Sequence, residues 1–216
     1  MADSAFSFQR DRARIEALAR ALGKPLPASS IEPLGRYVEL VATWNRKLDL
    51  TAARDAAAQV EILLADALEL AEESVVPTTG TRCVDIGSGA GAPALPLALL
   101  RSDLDLTLVE PLRKRVAFLR TAIGTLGLAA RVRVIEAKLD PDAPSLAGAP
   151  FDVALSRATF APELWLAAGV ALAQRTLVLL AAQPSPAAIS GTRLVAEQRY
   201  RLPSSGAERC IAVYAR

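Results

Sequence analysis

The apolar positions follow two rhythms, and the change between them divides the chain. Over residues 11–22, DRARIEALARAL carries apolar side chains at helical spacing, and Gly23, Pro25 and Pro27 end that helix. Ser29-Ser30-Ile31-Glu32 has the spacing of a capping box and predicts a second helix through LGRYVELVATWNRKL, residues 34–48. A third helix is expected to start at Asp55 and run through AAAQVEILLADALELAEE, residues 56–73. Three Ala-rich helices in succession cannot bury themselves fully, so they are expected to pack on the C-terminal two thirds of the chain.

After Pro77, Thr78, Thr79 and Gly80 the pattern turns to alternation. TRCVDI (81–86) reads as a short strand and ALPLALLR (94–101) as a helix beyond a glycine loop. LDLTLVE (104–110) is a second strand, with the helix RKRVAFLRTAIGTLG (113–127) after it. ARVRVIE (130–136), FDVALS (151–156) and RTLVLLA (175–181) are three further strands. Strands alternating with helices at this spacing predict βαβ units and a parallel sheet covered on both faces. The tail departs from that rule. TRLVAEQRYRL (192–202) and ERCIAVYAR (208–216) read as two strands joined through Pro203-Ser204-Ser205-Gly206, an antiparallel hairpin on one side of the sheet.

Composition narrows the chemistry. The 216 residues are 52% hydrophobic and 22% charged, with a mean hydropathy of +0.28, too apolar for a disordered chain. Arg or Asp interrupts every apolar run before the ~20 residues that span a bilayer. MADSAFSFQRDRAR mixes acids and bases ahead of any apolar stretch and does not read as a secretory signal. Cys83 and Cys210 lie far apart in apolar, strand-like segments, which argues against a disulfide framework or zinc site and for a cytoplasmic protein. Histidine is absent, which excludes Ser-His-Asp triads, Cys-His pairs and the common zinc sites. A net charge of +2 is too small to announce a nucleic-acid binder. The positive charge nevertheless bunches at Arg113, Lys114, Arg115 and Arg120, then Arg131 and Arg133, as a solvated helix face or as a patch for phosphate.

The strongest motif is Val84-Asp85-Ile86-Gly87-Ser88-Gly89-Ala90-Gly91, between an expected strand and an expected helix. Glycines let the backbone turn sharply and let a ligand approach where a Cβ would collide. A dinucleotide fingerprint wants its third glycine one residue later, to seat a pyrophosphate on the helix start. Here the order is Gly-x-Gly-x-Gly, with Asp85 just before it. Glu110 ends the second strand about twenty residues on, where a carboxylate accepts from ribose hydroxyls. S-Adenosylmethionine (SAM), which has no pyrophosphate to cradle, fits this arrangement better than NAD.

VDIGSGAGAPALPLAL, then LTLVEPLRKRVAFLR, then FDVALSRA, with WNRKLDLTAARD upstream, resemble the RsmG (GidB) family of bacterial 16S rRNA methyltransferases from about Tyr37 to Ala158. The resemblance implies an α/β fold: a Rossmann-like class I SAM-dependent methyltransferase sheet, mostly parallel with a C-terminal antiparallel hairpin, and a helical N-terminal extension. It implies a helical region at 1–76, a methyltransferase domain at 77–216, and methylation of a guanine N7 in the decoding region of 16S rRNA. By this likeness Gly87 lies at the first turn, Ala92 at the helix start and Glu110 on the ribose, while Leu139 and Asp140 flank the adenine. Arg157, of the Ser-Arg-Ala motif, stands beside the reacting end as the catalytic residue, and Lys114 and Arg115 match a Lys-Arg pair expected to touch RNA. With Asp85, Ser88, Gly89 and Gly91 of the loop, these form the expected cofactor and substrate set. No metal is expected, and the partner is 16S rRNA or the small ribosomal subunit, met by a monomer.

The chain also departs from the family pattern. Ile62-Leu63 stand where Arg-His usually precedes an Asp-Ser-Leu stretch, here Asp66-Ala67-Leu68, and Asp49 replaces an Asn. After the fifth expected strand, Ala181-Ala182-Gln183-Pro184 replaces a Lys-Gly. These changes keep open a SAM-dependent methyltransferase for another substrate, or a non-catalytic paralogue that binds SAM or RNA. Methylation at guanine N7 needs no general base, because N7 already carries a free lone pair. Phe160 and Trp165 are the nearest aromatic side chains for stacking, or else core residues.

Overall fold

The structure, a computed structural model, describes residues 2–53, 55–77 and 81–216, with side chains from residue 11 onward. The expected break at Thr78, Thr79 and Gly80 lies outside the described residues. Helices α1 (Ala2–Ala21), α2 (Ala28–Leu48) and α3 (Ala56–Leu70) come first. Next are β1 (Arg82–Ile86), α4 (Ala94–Leu100), β2 (Asp105–Glu110), α5 (Arg113–Thr125), β3 (Val132–Glu136) and β4 (Phe151–Arg157). The chain closes with α6 (Pro162–Leu172), β5 (Ala173–Leu180), β6 (Arg193–Arg201) and β7 (Glu208–Ala215).

Among the described residues, seven strands form one sheet in the order β3-β2-β1-β4-β5-β7-β6. Strands β1 to β5 pair in parallel, and β7 runs antiparallel to both β5 and β6. The expected parallel sheet with a C-terminal hairpin is therefore present. The inner strands are apolar on both faces because both faces are covered. Cys83, Leu106, Leu155, Leu177 and Val213 meet a core shared with α1 to α5. Val84, Ile86, Ala154, Val178 and Ala212 meet the core under α6. The first three helices do bury themselves on the sheet domain rather than on one another alone, with Tyr37, Val41, Leu64 and Leu68 inside the larger core. Strand β6 is one edge of the sheet, where Arg193, Glu197, Arg199 and Arg201 discourage pairing with another chain.

Four local expectations need correction. Helix α2 begins at Ala28, and its N-cap is Pro27 with no side-chain cap bond, so Ser29-Ser30 does not form a capping box. Pro27 at φ −59 is already set for the turn, and Ser30 N–H donates to its carbonyl at 2.9 Å. Helix α3 is capped by Asp55 as expected, with its side chain accepting from Ala58 N–H at 2.8 Å, but it stops at Leu70 rather than Glu73. Ala92 precedes the first residue of α4 by two positions and is not at the helix start. Helix α6 had no counterpart among the expected elements. PELWLAAGVAL is apolar almost all round, so it lacks the periodic signature of a surface helix and betrays itself only by Pro162 and Glu163 in its first turn.

Three buried acids on α3 all bond outside the helix. Glu61 accepts from the Ser204 N–H at 2.7 Å and the Ser204 hydroxyl at 2.6 Å, in the turn between β6 and β7. Asp66 accepts from the Tyr200 hydroxyl, and Glu69 accepts from Gln198 and from Lys24. The C-terminal hairpin is thus fastened to an N-terminal helix by side chains that burial forbids to stay unpaired. Among the described residues no helix is long and apolar enough to cross a membrane.

Candidate active site

The C-terminal ends of β1, β2 and β4 lie side by side, and the strand order reverses at β1 and β4, where open α/β sheets hold their ligands. The glycine loop leaves β1 at Ile86. Gly87, Gly89 and Gly91 have φ of 75°, 55° and 82°, the left-handed region that an L side chain resists. Their reasons differ. A Cβ on Gly87 would lie 2.1 Å from Thr159 Oγ1, and one on Gly91 would lie 2.5 Å from Leu95 Cδ1. A Cβ on Gly89 would meet nothing nearer than the Gly87 carbonyl at 3.8 Å, so it would project into open space. Gly87 and Gly91 answer to the protein's own packing, whereas Gly89 keeps a surface free.

Glu110 sets the loop's shape. Its Oε2 accepts from Gly89 N–H at 2.9 Å, and its Oε1 accepts from Leu112 N–H at 3.0 Å. Each carboxylate oxygen retains a lone pair beyond those two bonds. The loop is held from the helical side by the buried Tyr37, whose hydroxyl donates to the Ala90 carbonyl at 2.9 Å. Tyr37 lies outside the sequence-predicted set, since nothing in its helical surroundings distinguishes it from a core aromatic.

Asp85 is 1% exposed, and its Oδ2 has no hydrogen-bond partner among the described residues. Burial raises its pKa from 3.8 to about 7, opposed by Ser88 and the charge of Arg157 and assisted by Glu110. An unpartnered carboxylate oxygen in the loop's foundation is costly unless something cationic or hydrogen-bonding completes it. Enclosed below the loop, this carboxyl acts through its charge on whatever lies over the free surface of Gly89, which suits a ligand that brings positive charge. Ser88 donates its hydroxyl to the Asp85 carbonyl at 3.0 Å and so serves the loop itself.

Arg157 ends β4 and turns back towards α3. Its Nη1 donates to Asp66 Oδ2 and to the Ile62 carbonyl, both at 2.8 Å. Burial pushes the guanidinium pKa down, and Asp66, with Tyr37 and Asp85 further off, more than reverses this. Nη2 and Nε make no hydrogen bond to any described residue. The signal for Asp66 was present in the sequence as a lone acid inside the apolar run Leu63–Leu68.

Beyond Arg157 lies a cavity of about 310 Å³, bounded by α3, β4, β5, α6 and the hairpin. Ile62 and Gln183, two positions where the chain departs from the RsmG pattern, line it together with Asp66, Arg157 and Phe160, while Leu63 is buried in the core. Trp165 is a core residue as well as a wall of this cavity, its indole N–H donating to the Leu177 carbonyl at 2.8 Å. The glycine loop adjoins the cavity rather than lining it. Ser156 and Thr159 hydroxyls, donating to the Ile86 carbonyl at 2.8 and 3.1 Å, tie the cavity wall to the loop.

The remaining expected residues are spread around this centre. Leu139 is buried with Trp165 and Val109, and the exposed Asp140 accepts from Asp142 N–H at 3.0 Å. Lys114 and Arg115 lie on the first turn of α5 and border a groove that Lys47 and Asp49 close from α2. Arg115 donates to the Asp49 carbonyl at 3.4 Å. Arg131 is separate from that patch, because its guanidinium is spent on the carbonyls of Ala98, Arg101 and Leu104.

Known proteins resemble this chain in fold and in sequence. Two solved structures share the fold. The human methyltransferase 10 domain containing protein matches at 12% identity and a TM-score of 0.57, over 85% of this chain and 96% of that one. TrmN from Thermus thermophilus matches at 20% identity and a TM-score of 0.52, over 80% of this chain and 53% of that one. Among curated relatives, the ribosomal RNA small subunit methyltransferase G of Anaeromyxobacter dehalogenans is 36% identical, covering 95% of this chain and 99% of its own length. That of Myxococcus xanthus is 34% identical with the same coverage. The model of the GidB family, described as rRNA small subunit methyltransferase G, matches residues 30–182. The chain belongs to this family of rRNA small subunit methyltransferases.

Proposed function

We propose that the protein transfers a methyl group from SAM to N7 of a guanine in 16S rRNA, within the small ribosomal subunit. The observation that carries the reading is the position of Arg157: fastened to Asp66, it stands between the glycine loop with its unpartnered Asp85 oxygen and the cavity of about 310 Å³. In this reading the loop from Asp85 to Ala92 holds the amino-acid end of SAM over the open face of Gly89, with Gly87, Ser88, Gly91 and Ala92 keeping the loop in shape and Asp85 supplying negative charge beneath it. The spare lone pairs of Glu110 accept from ribose hydroxyls, and Leu139 and Asp140 flank the adenine. SAM supplies an electrophilic methyl on a sulfonium sulfur.

The chain's own work is alignment. Guanine N7 is an acceptor with a free lone pair, so no residue need take a proton, which suits a protein without histidine. Arg157, with Nη1 committed to Asp66 and Ile62, offers Nη2 and Nε to the guanine O6 beside the reacting nitrogen. Lys114 and Arg115 meet RNA phosphates along the groove at the start of α5. Residues 77–216 carry the transfer site on this reading, and the helical region 1–76 contributes Asp66 to it. The protein acts in the cytoplasm, as a monomer.

The test is transfer of labelled methyl to small subunits that lack the modification, with mapping of 7-methylguanine in the product. The expected result is stoichiometric transfer to one position by the wild type. Arg157→Ala should lose transfer while keeping most of its SAM affinity. Wild-type protein that methylates neither subunits nor naked 16S rRNA would overturn the reading.

A further inference from the structure

We infer that the cavity beside Arg157 receives the target purine itself, stacked on the ring of Phe160; this rests on the function proposed above. The cavity's volume of about 310 Å³ belongs to the class that encloses a single small ligand, not a run of stacked nucleotides. Its walls are flat and apolar where Phe160, Pro162, Trp165 and Leu180 meet, and polar where Arg157 and Gln183 meet. A flat heterocycle with hydrogen-bonding edges has that same division.

The aromatic wall is built to stay in place. Trp165 is 2% exposed and locked by its bond to the Leu177 carbonyl, and the half-buried Phe160 ring lies within 10° of parallel to it, centroids 6.3 Å apart. One side of Phe160 thus rests towards the indole, and the ring contributes its remaining surface to the cavity. The backbone between Arg157 and Phe160 passes through Ala158 at φ 56°, a left-handed conformation uncommon for alanine. That turn brings Arg157 and Phe160 to the same cavity within three residues of sequence. Strain of this kind collects where a site must hold two groups in one relation.

The charges suit an N7 acceptor. The N7 lone pair forms the new N–C bond, and the electron pair of the broken C–S bond returns to sulfur. No proton moves, and the positive charge passes from sulfur to the purine ring. An arginine facing a ring that becomes cationic would oppose the step, but Asp66 already balances Arg157. The face of Phe160 attracts a cation, so the contact strengthens as the charge arrives. A base paired in a helix hides N7 in a deep, narrow groove, so occupancy requires a base that has left its stack.

The test uses the full chain carrying Trp44→Phe, which leaves Trp165 as its sole tryptophan. Guanosine 5′-monophosphate, added with S-adenosylhomocysteine, should quench Trp165 fluorescence saturably, and uridine 5′-monophosphate should not at the same concentration. Phe160→Ala should weaken the purine effect by about tenfold, within the range for loss of one base–aromatic stack. In transfer to small subunits, Phe160→Ala should lower kcat/KM by a similar factor with KM for SAM unchanged. Phe160→Tyr should restore both readouts. Phe160→Leu keeps the apolar volume without the π face, and should be impaired even if the alanine variant melts early. Wild-type kcat/KM in a folded Phe160→Leu protein, or equal quenching by the two nucleotides, would overturn the inference. Purine-selective quenching in a protein that methylates no rRNA would uphold the cavity and overturn the proposed function instead.

Discussion

Asp66 Oδ2 lies 2.8 Å from Arg157 Nη1, joining α3 to the end of β4 across 91 residues of chain. The same carboxylate accepts from Tyr200 on β6, so the N-terminal helices, the sheet and the C-terminal hairpin meet on two oxygen atoms. The side chains are 25% and 8% exposed for Arg157 and Asp66, which leaves little water to screen or replace the contact. The pair therefore fixes where Arg157 points as well as how the hairpin sits.

Removing one member of such a pair leaves the other charge in a poorly solvated place. Asp66→Ala should lower unfolding free energy by about 3 kcal/mol, measured by urea denaturation. Tyr200→Phe should cost about 2 kcal/mol, the net worth of a hydrogen bond to a charged group. If Asp66→Ala unfolds at the wild-type urea concentration, the contact is a surface pair in solution and does not position Arg157.

The two glycines should fail in different ways. Gly87→Ala drives a Cβ against Thr159 and should lower the melting temperature before any ligand is considered. Gly89→Val has space within the protein, although φ of 55° strains it, and should fold while losing SAM binding by calorimetry. Wild-type SAM affinity in a folded Gly89→Val protein would remove the loop from the cofactor site.

The strand and hairpin pattern was legible because its causes are local. Apolar runs such as Val153–Leu155 need cover on both faces, and the turn through Pro203 and Gly206 closes a hairpin wherever it occurs. The glycine loop was legible for the same reason, and Glu110 stands at the end of β2, where it accepts from Gly89 N–H. The pairing of Asp66 with Arg157, and of Tyr37 with the Ala90 carbonyl, was not. These contacts join residues 91 and 53 positions apart, and no local pattern encodes which buried acid or phenol meets which partner. The departures at Ile62 and Gln183 were visible as isolated changes. Only the fold brings both to one cavity.

Glu110 has a second task that its predicted role in ribose binding did not include. It accepts from Gly89 and Leu112 N–H groups, so Glu110→Ala removes loop order and ligand contact together. SAM affinity should fall by roughly 1.5–3 kcal/mol, the range for a hydrogen bond to a charged group. Glu110→Gln can still accept on one oxygen and should fall between the two. Equal SAM affinity in wild type and Glu110→Ala would place the ribose elsewhere.

Lys114 and Arg115 should report RNA contact through salt. Each phosphate neutralised releases a counterion, so Lys114→Ala should weaken rRNA binding and flatten its dependence on salt by about 0.7–0.9 in log–log slope. Arg115→Ala should act in the same direction, with its bond to the Asp49 carbonyl lost besides. Unchanged slopes in both variants would mark this turn of α5 as an ordinary solvated face.

Asp85 gives the chain a dependence on pH whose sign can be worked out. Its folded pKa of about 7 exceeds its ordinary value of 3.8, so the folded state holds the proton longer than the unfolded state. The stability this contributes is complete below pH ~4 and is lost as pH rises through 7, up to roughly 4 kcal/mol. Asp85→Asn cannot ionise, so without ligand its advantage over wild type should be largest at pH 8, less than half as large at pH 5 and absent near pH 3. Ligand binding should show the opposite preference. A cationic ligand favours the ionised carboxylate, so wild-type affinity for SAM should rise between pH 6 and 8, and binding near pH 6.5 should release a proton. Calorimetry in two buffers of different ionisation heat measures that proton directly. Asp85→Asn should bind more weakly, and the part of the pH slope due to this carboxyl should vanish. Identical slopes in wild type and variant would show that the charge of Asp85 is not felt at the cofactor site.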